Sequence, residues 1–187
     1  MDKRDDSASL KSAIEEAIKI HPYDSNWPTL FQTEKARLQK VFVHDMIEIE
    51  HIGSTSVPGL AAKPIVDLMA GVRTMEIAES LLAPLRQYGY VTPPECNAEL
   101  VDRRWLMRHA GGHRTHHLHL VVLRSKGWDR TMRFRDALRA DPKAAQQYSE
   151  LKYRLAAEAG TNRNQYVQAK SDFIDKLINS FSKNQRV

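Results

Sequence analysis

The residues with the clearest chemical potential lie at the junction of two alternating segments. Ile52-Gly53-Ser54-Thr55 ends the first, and Asp67 stands inside the second. A glycine lets backbone approach a ligand closely. The Ser54 and Thr55 hydroxyls, with backbone N–H groups at a helical start, suit phosphate oxygens. A carboxylate in an apolar strand, such as Asp67, requires a partner, a metal ion or solvent. Glu50 lies on the preceding strand, and His117 and His119 share one face of a later one. Asp67 with these two histidines makes a ligand set suited to zinc, manganese or iron more than to magnesium. The plain alternatives are an Asp67 ion pair with Lys63 or an arginine, and two hydrogen-bonded histidines on a polar sheet face. Basic groups form a second constellation: Lys63, Arg133, Arg135, Lys152 and Lys170. Guanidinium forks match phosphate oxygens, and lysines add mobile point charges. The alternative for the helical ones is a solvated face with ordinary ion pairs.

The elements that must position these groups follow from periodicity. Apolar spacing predicts a helix over 9–20 and another from Pro28 to about residue 41, since proline suits a first helical position. Alternation predicts strands over 46–52 and 64–72. In the first, Met46, Glu48 and Glu50 share a face. In the second, Asp67 and Met69 oppose Val66, Leu68, Ala70 and Val72. Thr74 is a candidate N-cap for a helix ending near Tyr88. A hairpin with a glycine turn is expected over 100–124. Helices are expected over 128–140, 142–158 and 163–181, capped by Asp141 and Thr161. The sum is an α+β fold with a mixed β-sheet, helices on one side and a helical C-terminal third. All 187 residues are expected to form a single domain, with residues 1–8 mobile and the core over about 20–178.

Composition narrows the class. Hydrophobic residues make up 42% and charged residues 27%, as in ordinary globular proteins. No apolar run reaches the length of a membrane helix, and the N-terminus lacks a signal-peptide core. Cys96 is the single cysteine, which excludes an internal disulfide and a thiolate metal cluster. A cytoplasmic location is therefore expected, with no membrane partner. The net charge of +5 is compatible with an anionic ligand and equally with simple solubility.

The string HIGSTSVPGLAAKPIVDLM, residues 51–69, resembles the signature of the GrpB family. The likeness extends through Tyr23, Trp27-Pro28, His117-Leu118-His119, Phe134-Arg135-Asp136, Tyr148, Lys152, Tyr166 and Lys170. That family also occurs fused to dephospho-coenzyme A kinase. The Gly-Ser turn followed by a strand aspartate is similar to the nucleotidyltransferase fold of the DNA polymerase beta superfamily. This resemblance implies phosphate binding at Gly53, Ser54 and Thr55, and a catalytic carboxylate at Asp67, with Glu50 as a second candidate. It also implies a divalent metal cofactor, magnesium or a transition metal. One departure matters: Met69 occupies the position of the second carboxylate of the pair. A thioether cannot replace a hard oxygen ligand for magnesium.

Two functions follow as expectations. One is metal-dependent nucleotidyl transfer, with Asp67 on the metal and Lys63, Arg135 and Lys152 neutralising charge. The other is a catalytically inactive module that retains a pocket for a nucleotide or other phosphate ligand. A nucleic-acid binder using Arg103, Arg104, Arg108 and Arg114 ranks last, because only Trp105 interleaves with those arginines.

Overall fold

The computed structural model describes residues 3–17, 19–92, 97–98, 100–159 and 163–184, with side chains described over 8–158 and 170–181 within those ranges. Cys96 and the Thr161 cap lie outside the described residues. The first helix, α1, spans Lys3–Glu15, so it begins and ends earlier than its apolar spacing predicts. Helix α2 spans Trp27–Phe42 with Pro28 in its first turn, as expected. Strands β1 (Glu48–Ile52) and β2 (Val66–Val72) follow, joined through a 3-10 turn at Ser54–Ser56.

The helix expected after Thr74 is two short ones, α3 (Met75–Ser80) and α4 (Leu82–Gln87). Pro84 supplies the break, since it has no N–H and its ring crowds the carbonyl one turn earlier. Thr74 does cap α3, accepting from Ile77 N–H. A two-residue strand, β3 (Tyr90–Val91), precedes the hairpin of β4 (Arg103–Ala110) and β5 (His113–Val122). Gly111 and Gly112 both have positive φ, 56° and 78°, which is what a two-residue hairpin turn of matching twist requires. The C-terminal helices are α5 (Lys126–Ala140), α6 (Pro142–Ala159) and α7 (Arg163–Asn184). The Asp141 carboxylate accepts from Lys143 and Ala144 N–H and starts α6.

The five strands form one mixed sheet in the order β1-β2-β5-β4-β3, parallel only between β2 and β5. The α+β class read from the sequence is found. One sheet face is apolar: Leu68, Ala70, Leu106, Leu118 and Leu120 pack with Phe31, Leu38 and Phe42 of α2 and with Leu85 of α4. Met46 precedes β1 and joins this core rather than the Glu48 and Glu50 face. The opposite face carries Asp67, Met69, His117 and His119, and the C-terminal helices cover it. Trp128 of α5 packs there on Ile52, Met69 and Val121. Tyr148 of α6, Phe134 of α5 and Phe173 of α7 form a second layer over Val57 and Leu60. No helix among the described residues is long and apolar enough to cross a membrane.

Candidate functional site

The site starts with the turn after β1. Gly53 has φ 68° and opens the 3-10 turn, whose Val57 N–H donates to Ser54 O at 3.2 Å. A side chain at Gly53 would collide with the carboxylate of Asp67. Glycine therefore serves both the left-handed backbone and the approach of Asp67. The parallel register places Asp67 beside His117, and His117 Nδ1 lies 2.9 Å from Asp67 Oδ1. If Nδ1–H donates, Nε2 is left as the acceptor nitrogen. That nitrogen is buried with no hydrogen-bond partner among the described residues. The His117 ring also meets Trp105 edge-on, with centroids 5.1 Å apart. Burial alone would raise the Asp67 pKa. The His117 hydrogen bond and the neighbouring charges of His117, His119 and Lys170 outweigh it, so the carboxyl is held below its usual range.

Asp67 opens into a cavity of about 370 Å³. Ser54 and Thr55 line it from the turn, and His117, His119, Trp105 and Arg114 line it from the hairpin. Lys63, Lys152 and Lys170 complete the cationic wall. Arg114 lies over the Trp105 ring at 5.7 Å and donates to the carbonyls of Ala13 and Ile14 in α1. Lys152 is 2% exposed, donates to Ala61 O and sits 4.9 Å from the Tyr148 ring centroid. Burial, helped by nearby Lys170, pushes the Lys152 amine down to about 7. Burial pushes Lys170 down to about 8, against the pull of Asp67. Burial pushes His119 down to about 4 despite Asp67, so its ring is neutral at pH 7. A second space of about 300 Å³ shares Asp67, His119 and Lys170 and extends past Met69 towards Arg103 and Arg130.

Several expected members stand elsewhere. Glu50 shares a sheet face with Asp67 but pairs with Arg135, Oε2 to Nη1 at 2.6 Å. Both line a different cavity, along the outer edge of β1. Neither the Asp67–Glu50 carboxylate pair nor the Arg135 phosphate contact is thus assembled in the Asp67 cavity. The physical reason is the mutual attraction of Glu50 and Arg135 across the β1 edge, reinforced by Arg135 donating to His51 O. Arg133 is on the exposed side of α5, away from the cavity. Thr55 is 1% exposed, and its hydroxyl is engaged with His51 Nε2 at 3.0 Å.

The metal set expected of Asp67, His117 and His119 is not assembled as a three-ligand group. Among the described residues, no three His, Cys, Asp or Glu side chains are arranged to hold a metal ion. The register directs His117 to hydrogen-bond the Asp67 oxygen that would otherwise serve a cation. Met69 is 1% exposed and packed on Trp128, so it leaves no place for a second carboxylate.

The hairpin arginines do not form one surface. Arg104 pairs with Glu79 and Arg108 with buried Glu34, while Arg114 turns towards α1 and Trp105. Sequence reasoning missed Trp105 and Arg114 as cavity members. The alternation of β4 places Trp105 opposite His119, and that was the available signal. It also missed Arg139, whose Nε and Nη2 both donate to Ser56 O, at 3.0 and 2.7 Å.

The GrpB protein family model matches residues 17–180. The chain is 38% identical over 157 residues to UPF0157 protein YqkA of Bacillus subtilis, covering 84% of this chain. It spans only 45% of that longer protein. It is 27% identical over 188 aligned positions to a dephospho-CoA kinase of Mycolicibacterium paratuberculosis, covering 89% of this chain and 46% of the kinase. Among solved structures, the crystal structure of conserved protein GrpB from Enterococcus faecalis superposes with a TM-score of 0.78 at 31% identity. That match takes in 90% of this chain and all of the Enterococcus chain. The motif, the fold around it and these matches agree, and the chain belongs to the GrpB protein family.

Proposed function

We propose that the Asp67 cavity binds a small phosphate-bearing ligand, with a nucleotide as the ligand class. The carrying observation is its charge balance: Lys63, Arg114, Lys152 and Lys170 line one cavity in which Asp67 is the sole carboxylate among the described residues. Cations gathered in a concave, half-desolvated space favour a multiply charged anion over neutral or cationic ligands. The Ser54 turn adds short donors at the cavity wall. The similarity to part of a dephospho-CoA kinase supports the nucleotide class without fixing the nucleotide.

This reading makes binding, rather than turnover, the property of the cavity. Nucleotidyl transfer is a second reading, favoured by the contact between the Gly53 turn and Asp67. It requires oxygen ligands beyond Asp67, and Met69 and the Glu50–Arg135 pair supply none. The two readings separate in one experiment. Calorimetry with ATP, AMP and inorganic phosphate, with and without a chelator, should give phosphate-ligand binding that survives chelation. Lys170→Gln should weaken it by roughly ten- to a hundredfold, the value of one charge-assisted contact. Binding that vanishes with chelator would favour the metal-dependent reading. Failure of all three ligands to bind the wild type would remove the proposal.

A further inference from the structure

We propose that the cavity at the β1 edge is a second ligand site, separate from the Asp67 cavity, and that it takes a small organic anion with an apolar body. It has a volume of about 870 Å³, within the size range of small-molecule pockets. The 3-10 turn is the shared wall: Ser54 and Thr55 face the Asp67 cavity, while Ser56 and Val57 face this one. The cavity lies where α2, on one face of the sheet, and α5 and α6, on the other, both reach past edge strand β1.

Its floor and walls are apolar, with Phe31, Val57, Leu60 and Leu138 among them. Over these stand three cations, Lys35, Arg135 and Arg139. The carboxylate among the lining residues is Glu50, and it is spent on Arg135 at 2.6 Å. Asp136, just outside, bonds Arg135 Nε at 2.8 Å. Arg139 fixes its fork on Ser56 O through Nε and Nη2, leaving Nη1 3.9 Å from Asp136, beyond hydrogen-bond reach. Lys35 carries its ammonium 5.7 Å from the Phe31 ring centroid. His51 stacks on Phe31 at 4.6 Å, and burial pushes its imidazole down to about 4, so it adds no charge at pH 7. Positive charge therefore exceeds negative around the rim. Burial, and after it the nearby Arg135 charge, hold the Arg139 guanidinium below its ordinary value. An apolar body would occupy the floor, and its anionic head would meet Arg139 Nη1 and Lys35. The polar side chains of Gln32, Gln146 and Ser149 line the same space and can take further oxygens.

The test uses ligand-observed NMR on the full chain with benzoate and phenyl phosphate as anionic probes and benzamide as the neutral match. Either anion should bind, and benzamide should bind at least roughly tenfold more weakly. The two anionic arms tell a carboxylate head from a phosphate head. Arg139→Gln and, separately, Lys35→Gln should each weaken the anion by roughly tenfold. Lys35→Gln touches no backbone contact of the turn, so it stands if Arg139→Gln fails to fold. The binding should persist in Lys170→Gln, which alters the other cavity and so separates this claim from the proposed function. Binding of neither anion at millimolar concentration, equal binding of benzamide, or anion binding unchanged in both Arg139→Gln and Lys35→Gln would overturn the assignment. So would its loss in Lys170→Gln alone.

Discussion

Lys152 is buried and Lys170 half-buried, yet both have a cationic role, and that conflict is measurable. A lysine moved out of water loses affinity for its proton unless an anion faces it. Phosphate binding by these groups requires their charged form. Affinity should therefore fall as pH rises through about 7 to about 8, the values to which burial pushes Lys152 and Lys170. Calorimetry across that window checks it; affinity that rises steadily from pH 7 to 9 would contradict the role. The same depression has a stability consequence of definite sign. The Lys152 pKa is lowered on folding, so between about 7 and the ordinary lysine range near 10.5 the unfolded chain binds a proton that the folded chain does not. Without ligand, this group makes the protein more stable as pH rises from 7 towards 10. Lys152→Met should remove that part of the slope in urea melts at several pH values, whatever it does to the absolute level. Both lysines were legible in the sequence as basic groups on helices. Their burial was not, because it depends on how α6 and α7 lie over the sheet.

The turn between β1 and β2 is the element on which the site depends. Gly53→Ala should introduce two faults at once, a left-handed residue with a Cβ and a clash with Asp67. A residue with a Cβ held at φ 68° and ψ −173° costs about 1–3 kcal/mol, and the displaced Asp67 adds to it. Thermal melts should report a loss of at least about 1 kcal/mol, and the shift of the His117 ring resonance should change as its bond to Asp67 moves. Wild-type stability with an unchanged His117 signal would show that the turn is not so constrained. This turn was readable from sequence because strands alternate strictly: once Leu68 faces the core, Asp67 and Met69 must face away. The same rule put His117 and His119 on one side. It could not say which strand would lie beside β2, and the parallel pairing of β2 with β5 decides that Asp67 meets His117. Nor could it predict that α5 would lean over the β1 edge and draw Arg135 to Glu50 instead of to the cavity. That choice rests on helix packing, where crossing angle and depth are set by many side chains together.

At the scale of the whole molecule, a buried ionic knot joins α2 to the far strands. Glu34, 2% exposed, accepts from Arg37, from Arg108 of β4 and from the Tyr90 hydroxyl of β3. Burial alone would raise its pKa, but the Arg37 and Tyr90 hydrogen bonds outweigh it and hold the carboxyl below its usual range. Glu34→Ala would leave a buried phenol and two arginines without their acceptor. We expect a loss of about 2–3 kcal/mol in denaturant unfolding, below the ~3–5 kcal/mol of a fully buried broken pair, because both arginines retain some solvent. A change under about 0.5 kcal/mol would show that the knot is incidental. With the apolar sheet face fixed by this layer, the opposite face is left for the Asp67 cavity and the β1 edge for the other. The most direct test of the central claim is amide NMR of the isotopically labelled chain titrated with ATP in the presence of chelator. Shifts should concentrate at Gly53, Ser54, Thr55 and Lys63 and along β5 at His117 and His119, saturating with one affinity. Shifts confined to exposed basic residues such as Arg124 and Arg133, or none at all, would contradict that claim.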